Sequence, residues 1–217
     1  MRVAIAGAGN VGRAIARELL DKGHQVLLID RDPKAIKLES VPDAEWLIAD
    51  ACEITSLDKA HLNNCPVLVA ATGDDKSNLV TSLLGKTEYG VPRVVARINH
   101  PKNEWLFDSS WGVDVAVSTP RIISALVEEA VSVGDVVRLF SFKNNQANLI
   151  ELTLPDGSAC IGKTVEEIEL PEDSTLAAIV RDGRVITAKP HDVFAAGDEL
   201  LFVASAKAEA ELKTCFI

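Results

Sequence analysis

The 217-residue chain has four cysteines, Cys52, Cys65, Cys160 and Cys215, and no CxxC pair among them. That scatter suits neither a disulfide framework nor a zinc site and implies reduced thiols. No apolar run approaches the ~20 residues that cross a bilayer. After Met1-Arg2 only a short apolar stretch precedes Gly7, too little for a signal-peptide core. The expectation is a cytosolic protein. Clusters of Lys and Arg are missing too. The net charge is −10, and residues 1–132 and 133–217 both carry an acidic surplus, so nucleic acid and anionic lipid are poor partners. Motifs of the GxSxG, HExxH and P-loop kinds do not occur, nor does a Tyr-x-x-x-Lys pair. His24, His61, His100 and His191 stand apart from any recognisable carboxylate arrangement. A nicotinamide dehydrogenase needs an acid–base group beside the hydride path, so no catalytic residue is assigned.

Hydrophobic residues make up 47% of the chain, enough for a buried core. Short, continuously apolar runs alternate with helical periods over the first ~118 residues. Strands are expected at Arg2–Ala6, Gln25–Asp30, Trp46–Ala49, Pro66–Ala71, Arg93–Ile98 and Val113–Val117. Helices are expected at Val11–Lys22, from Pro33 to Glu39, Ser56–Leu62 and Asp75–Tyr89. This is the pattern of an α/β, doubly wound parallel sheet of the Rossmann type. Thr119-Pro120 opens a further helix to about Val131, which Gly134 ends or bends. The rest reads as a small α+β module. Strands are expected at Asn148–Leu154, Thr175–Arg181, Val185–Lys189 and Glu199–Ala204, with an Asp182-Gly183 hairpin, and short helices at Thr164–Ile168 and Lys207–Thr214.

The strongest motif is Gly7-Ala8-Gly9-Asn10-Val11-Gly12, set between the first strand and an amphipathic helix. Gly7 permits a tight turn, Gly9 a close approach to pyrophosphate, and Gly12 close helix–strand packing. The helix start attracts the anion. A structural turn without ligand is the competing reading. Asp30, 18 residues after Gly12, ends the second strand, where a carboxylate accepts from ribose hydroxyls and repels a 2′-phosphate. It could instead be a simple turn residue. Arg31 could invert that preference but should point away. Small Ala51 and Cys52 after the third strand leave room for adenine, and Asp50 could meet its amino group or merely start a helix. Gly73, beside Thr72, lets backbone pass near a sugar or phosphate, while Asp75 could cap the next helix. Asn78 faces either the crevice or the first helix. Arg97 could reach a phosphate or form a structural ion pair.

These segments, with ATGDDKSN at 71–78, ARIN at 96–99, the Gly112–Pro120 run and the stretch from Ile161 to Ala204, resemble the Trk-type potassium-uptake regulators over essentially the whole chain. The resemblance implies an RCK nucleotide-binding domain at 1–118, a crossover helix and linker at 119–134, and an RCK-C (TrkA-C) domain at 135–217. It implies that Gly7 to Gly12 hold phosphates and Asp30 the ribose, that Asp50 and Ala51 flank adenine, that Thr72 and Gly73 meet the sugar–phosphate, and that Arg97 sits at the ligand or a subunit interface. NAD or NADH is the implied ligand, with ATP, ADP or AMP as alternatives. Some ATP-bearing members carry Arg inside the glycine loop, where this chain has Asn10 and Val11, with Arg13 just after, and this tilts toward NAD. The implied protein is not an enzyme. It dimerises, builds a tetrameric or octameric ring on the inner face of the cell membrane, and gates a potassium transporter subunit. A channel or antiporter sensor, or a small NAD-dependent oxidoreductase, are the alternatives.

Overall fold

A computed structural model describes residues 1–131, 133–142 and 147–216. Residue 132 of the expected linker, and residues 143–146 and 217 of the expected C-terminal module, lie outside the described residues. The chain forms two compact units, Met1–Pro120 and Arg121–Ile217.

In the first unit, β1 (Arg2–Ala6), β2 (Gln25–Asp30), β3 (Glu45–Ile48), β4 (Val67–Ala70), β5 (Arg93–Ile98) and β6 (Val115–Ser118) form one sheet. Its order is β3-β2-β1-β4-β5-β6 and every pairing is parallel. Parallel strands need long crossovers; 3-10 turns lie in those from β2 to β3 and from β5 to β6, and helices supply the other three. They are α1 (Asn10–Asp21), α2 (Ile54–Lys59) and α3 (Asp75–Thr87). Alternate side chains of β1 serve opposite faces: Val3 and Ile5 pack with Ala16, Val26 and Leu28, whereas Ala4 and Ala6 pack with Leu57, Leu62 and Leu68. Both faces are covered, which is why these strands read as unbroken apolar runs. Strand order reverses between β1 and β4, so the chain leaves β1 and β4 in opposite directions and opens a crevice at their C-terminal ends.

The expected helix from Pro33 to Glu39 is not formed. Two 3-10 turns, Pro33–Ala35 and Leu38–Ser40, stand there instead. The Asp32 carboxylate accepts from Lys34 N–H at 2.9 Å and starts the first turn, and Ile36 is already extended. Pro at the first position favours a 3-10 turn as much as a helix, and the segment has no apolar stripe to hold a longer one. The helix expected at Ser56–Leu62 begins earlier and ends at Lys59, because His61 takes a left-handed backbone (φ 49°) before a 3-10 turn at Leu62–Asn64.

The second unit carries β7 (Val136–Ser141), β8 (Asn148–Thr153), β9 (Ser174–Arg181), β10 (Arg184–Ile186) and β11 (Glu199–Ala204), ordered β10-β9-β11-β8-β7 and antiparallel throughout. Strand β7 escaped sequence analysis, and β10 stops at Ile186. Asp182 (φ 50°) and Gly183 (φ 72°) both have positive φ, as the tightest hairpin turns require. Helix α4 (Thr119–Val131) starts at the end of the first unit and lies almost wholly in the second. At the C-terminus α5 (Ala206–Phe216) lays Ala208, Leu212 and Phe216 on Ile150, Leu152 and Phe202.

Helix α1 leaves β1 at very close range. A Cβ on Gly12 would stand 1.9 Å from the Gly7 carbonyl oxygen. Backbone there cannot yield cheaply, so Gly12→Ala is expected to destabilise the chain by about 1–3 kcal/mol. Urea unfolding measures this, and an unchanged midpoint would contradict the packing described.

Candidate functional site

The crevice at the β1–β4 switch point is a cavity of about 560 Å³. Among the residues singled out in the sequence, Gly7, Gly9, Asn10, Val11, Asp30, Arg31, Asp50, Ala51, Cys52, Thr72, Gly73 and Arg97 line it. Ala8, Gly12 and Asn78 stand behind the wall. Ile29, Ala49, Ala71, Asp74, Ser77 and Thr81 also line it and were not foreseen. The polar ones of these were legible in principle, since Asp74, Ser77 and Thr81 recur at the spacing of one helix face.

Gly7 adopts φ +104° and donates its N–H to Ile29 O at 2.7 Å, which turns the chain sharply out of β1. Gly9 caps α1 in an extended conformation without any side-chain cap, so the helix start presents unpaired N–H groups. A Cβ on Gly9 would meet no protein atom within 4 Å, and the space over it belongs to the cavity. The Asp30 carboxylate accepts from Ala8 N–H at 2.8 Å and from Asp32 N–H at 2.9 Å. It therefore ties the glycine loop to the end of β2 while still facing the cavity. Ala8 cannot offer its own N–H to a ligand for this reason.

Arg31 does not point away. It lines the cavity and pairs with Asp50 at 3.6 Å, because the Asp30–Asp32 turn carries it across the strand ends. Asp50 also accepts from Cys52 N–H at 2.9 Å, which shapes the wall where Ala51 and Cys52 leave room. Burial pushes the Cys52 thiol above its ordinary value.

Asn78 faces neither crevice nor α1. It is fully buried and braces two strand ends: its Oδ1 accepts from Thr72 N–H (2.9 Å), and its Nδ2 donates to Thr72 O (3.2 Å) and Arg97 O (2.8 Å). Helix α3 is capped by Asp74, which accepts from Lys76 N–H at 3.0 Å, not by Asp75. Asp75 is buried and accepts from Asn99 and His100 N–H and from the Asn99 and Asn103 side-chain amides, at 2.7–3.0 Å. Arg97 forms no ion pair among the described residues; its Nε donates to Thr119 Oγ1 at 3.3 Å. The ionisable groups at the cavity wall are thus Asp30, Arg31, Asp50, Cys52, Asp74 and Arg97. A glycine-lined anion cradle, a strand-end carboxylate and a pocket of small side chains suit a phosphorylated adenine nucleoside in shape and charge.

Residues 3–119 match the TrkA-N domain and residues 149–216 the TrkA-C domain. The Trk system potassium uptake protein TrkA of Mycobacterium tuberculosis is 54% identical over 212 residues, 98% of this chain and 96% of that protein. The chain belongs to the TrkA family. Its fold is that of RCK domains. The GsuK RCK domain superposes with a TM-score of 0.66 at 16% identity, over 99% of this chain and 47% of that one. The GsuK channel bound to NAD gives 0.69 at 17% identity, over 99% and 39%. The TrkA-N match covers the sheet whose crevice is described above.

Asp75 links the site wall to acid stability. Burial opposes its charge, but donors from Asn103, Asn99 and His100 outweigh burial and hold its carboxyl below the usual range. A depressed folded-state pKa adds stability above the ordinary carboxylate pKa, lost as pH falls through the folded value. Asp75→Asn should therefore lower the urea midpoint at pH 7, and its deficit should shrink below about pH 4. An equal deficit at both pH values would contradict this.

Proposed function

We propose that this chain is a regulatory subunit that reads an adenine nucleotide, NAD(H) or an adenosine phosphate, and gates a membrane-embedded potassium transporter. The observation that carries the reading is the crevice itself. An open space above Gly9 adjoins the unpaired N–H groups of α1, with Asp30 at the neighbouring strand end. The loop and helix start would hold the phosphates, Asp30 the ribose hydroxyls, and Ala51 and Cys52 the edge of the base. Asp30 would disfavour a ribose 2′-phosphate. The nucleotide serves as a signal: the cavity wall carries carboxylates, two arginines and a raised-pKa thiol, and no His, Lys or Tyr among the described residues.

The relative's name supports the transport context, because that protein belongs to a Trk potassium-uptake system. Membrane attachment would come through a partner, since no helix among the described residues is long and apolar enough to cross a bilayer. Self-association has a candidate surface on α4, where Ile123, Leu126, Val127 and Val131 are exposed at helical spacing. Such a subunit shifts its partner only if the nucleotide binds two arrangements of the assembly unequally.

Isothermal calorimetry of the full chain with NAD, NADH and ADP tests the reading. Binding of at least one is expected, with NADH absorbance stable in the presence of small carbonyl compounds. Asp30→Ala should weaken NAD at least about tenfold, the scale of a lost hydrogen bond to a charged group. No binding of any of the three would end the proposal. Steady NADH consumption would replace it with an oxidoreductase.

A further inference from the structure

Arg13, one residue beyond the glycine motif, is buried, with 9% of its surface exposed. It forms no ion pair among the described residues. Its Nη1 donates to Ala8 O and, at 3.5 Å, to Ala35 O, and its Nη2 donates to Asn10 Oδ1 at 2.7 Å. All three acceptors are neutral. A buried guanidinium without a counter-charge is costly, and such a group is kept where something else supplies the charge or uses the geometry. Asn10 stands three residues earlier on the same face of α1 and lines the cavity. Of the two ends of an amide only the oxygen accepts from a guanidinium, so the contact fixes which end of Asn10 faces Arg13. The Nδ2 end is left as a donor with no protein partner among the described residues.

We infer that Arg13 is a positioning residue for the phosphate end of the ligand. It holds Asn10 by its carbonyl oxygen, keeps the Nδ2 donor available at the cavity wall, and places a positive charge behind the glycine loop. The inference rests on the reading of this cavity as an anionic-nucleotide site. It extends that reading to the buried cation, and it makes phosphate recognition depend on a side chain that need not touch the ligand.

A purely structural Arg13, serving to tie down the Ala8 carbonyl, predicts different behaviour. Asn10→Asp separates the two. A carboxylate there would strengthen the contact with Arg13 and preserve the fold, yet it would neutralise the charge and turn a donor into an acceptor. Calorimetry with ADP and with adenosine, on the full chain, is the measurement. Asn10→Asp should weaken ADP at least about tenfold, leave adenosine within about twofold, and not lower the melting temperature. Arg13→Gln should weaken ADP in the native background and markedly less in an Asn10→Ala background, because it acts through Asn10. Unchanged ADP affinity in Asn10→Asp, or an Arg13→Gln loss that is the same in both backgrounds, would overturn the assignment. If the unsubstituted chain bound neither ADP nor NAD, the reading of the cavity would fail first, and this inference with it.

Discussion

The contact between the backbones of Gly7 and Gly12 governs the first unit of the molecule. With no room for a Cβ between them, α1 is drawn against β1 and its N-terminus is aimed along the sheet toward the strand ends. Everything around the crevice follows from that approach. The loop between the two glycines is short enough for Asp30 to reach Ala8 N–H from the next strand. It is also short enough for Arg13 to reach back to Ala8 O from within the helix. A carboxylate on one side and a guanidinium on the other thus clamp the same residue through its two backbone groups. The loop is held in shape by the protein's own charges before any ligand arrives, which lowers the ordering cost of binding.

For an acidic chain, the proposed anionic ligand requires a local field opposed to the global one. The net charge of −10 would repel a dinucleotide at long range, but screening limits such repulsion to about 10 Å at ordinary ionic strength. Within that range the first turn of α1, Arg13, Arg31 and Arg97 offset the wall carboxylates Asp30, Asp50 and Asp74. Arg31 is half committed to Asp50, whereas the Arg97 side chain, among the described residues, donates to the Thr119 hydroxyl. Thr119 is the first residue of α4, so a cavity-lining cation is fastened to the start of the helix that leads out of the first unit.

Much of this was legible in the residues. The unbroken apolar runs at Arg2–Ala6 and Gln25–Asp30 gave a parallel sheet because only strands covered on both faces can afford them. Asp182-Gly183 specified a hairpin because few other pairs accept two positive φ values. The glycine motif and Asp30 placed the crevice. What escaped depended on contacts distant in sequence. Strand β7 has no clean alternation and is defined by its pairing with β8. Pro33 started a turn that the sequence could not distinguish from a helix. Arg31 was misdirected because its direction is set by the turn that Asp30 and Asp32 make together. Asn78 was expected to face the crevice or the first helix, and Arg13 stood out only as the residue after the glycine motif. Their burial became visible only when the ends of β4 and β5, and the loop before α1, were seen to surround them.

Amide hydrogen exchange of the full chain with and without saturating NAD addresses the central claim most directly. Slowed exchange confined to the first unit, strongest at residues 9–13 and 30–32, is the result that a pyrophosphate seated on the glycine loop produces. Equal exchange rates across those residues at a concentration where NAD binds would place the nucleotide elsewhere and contradict the account.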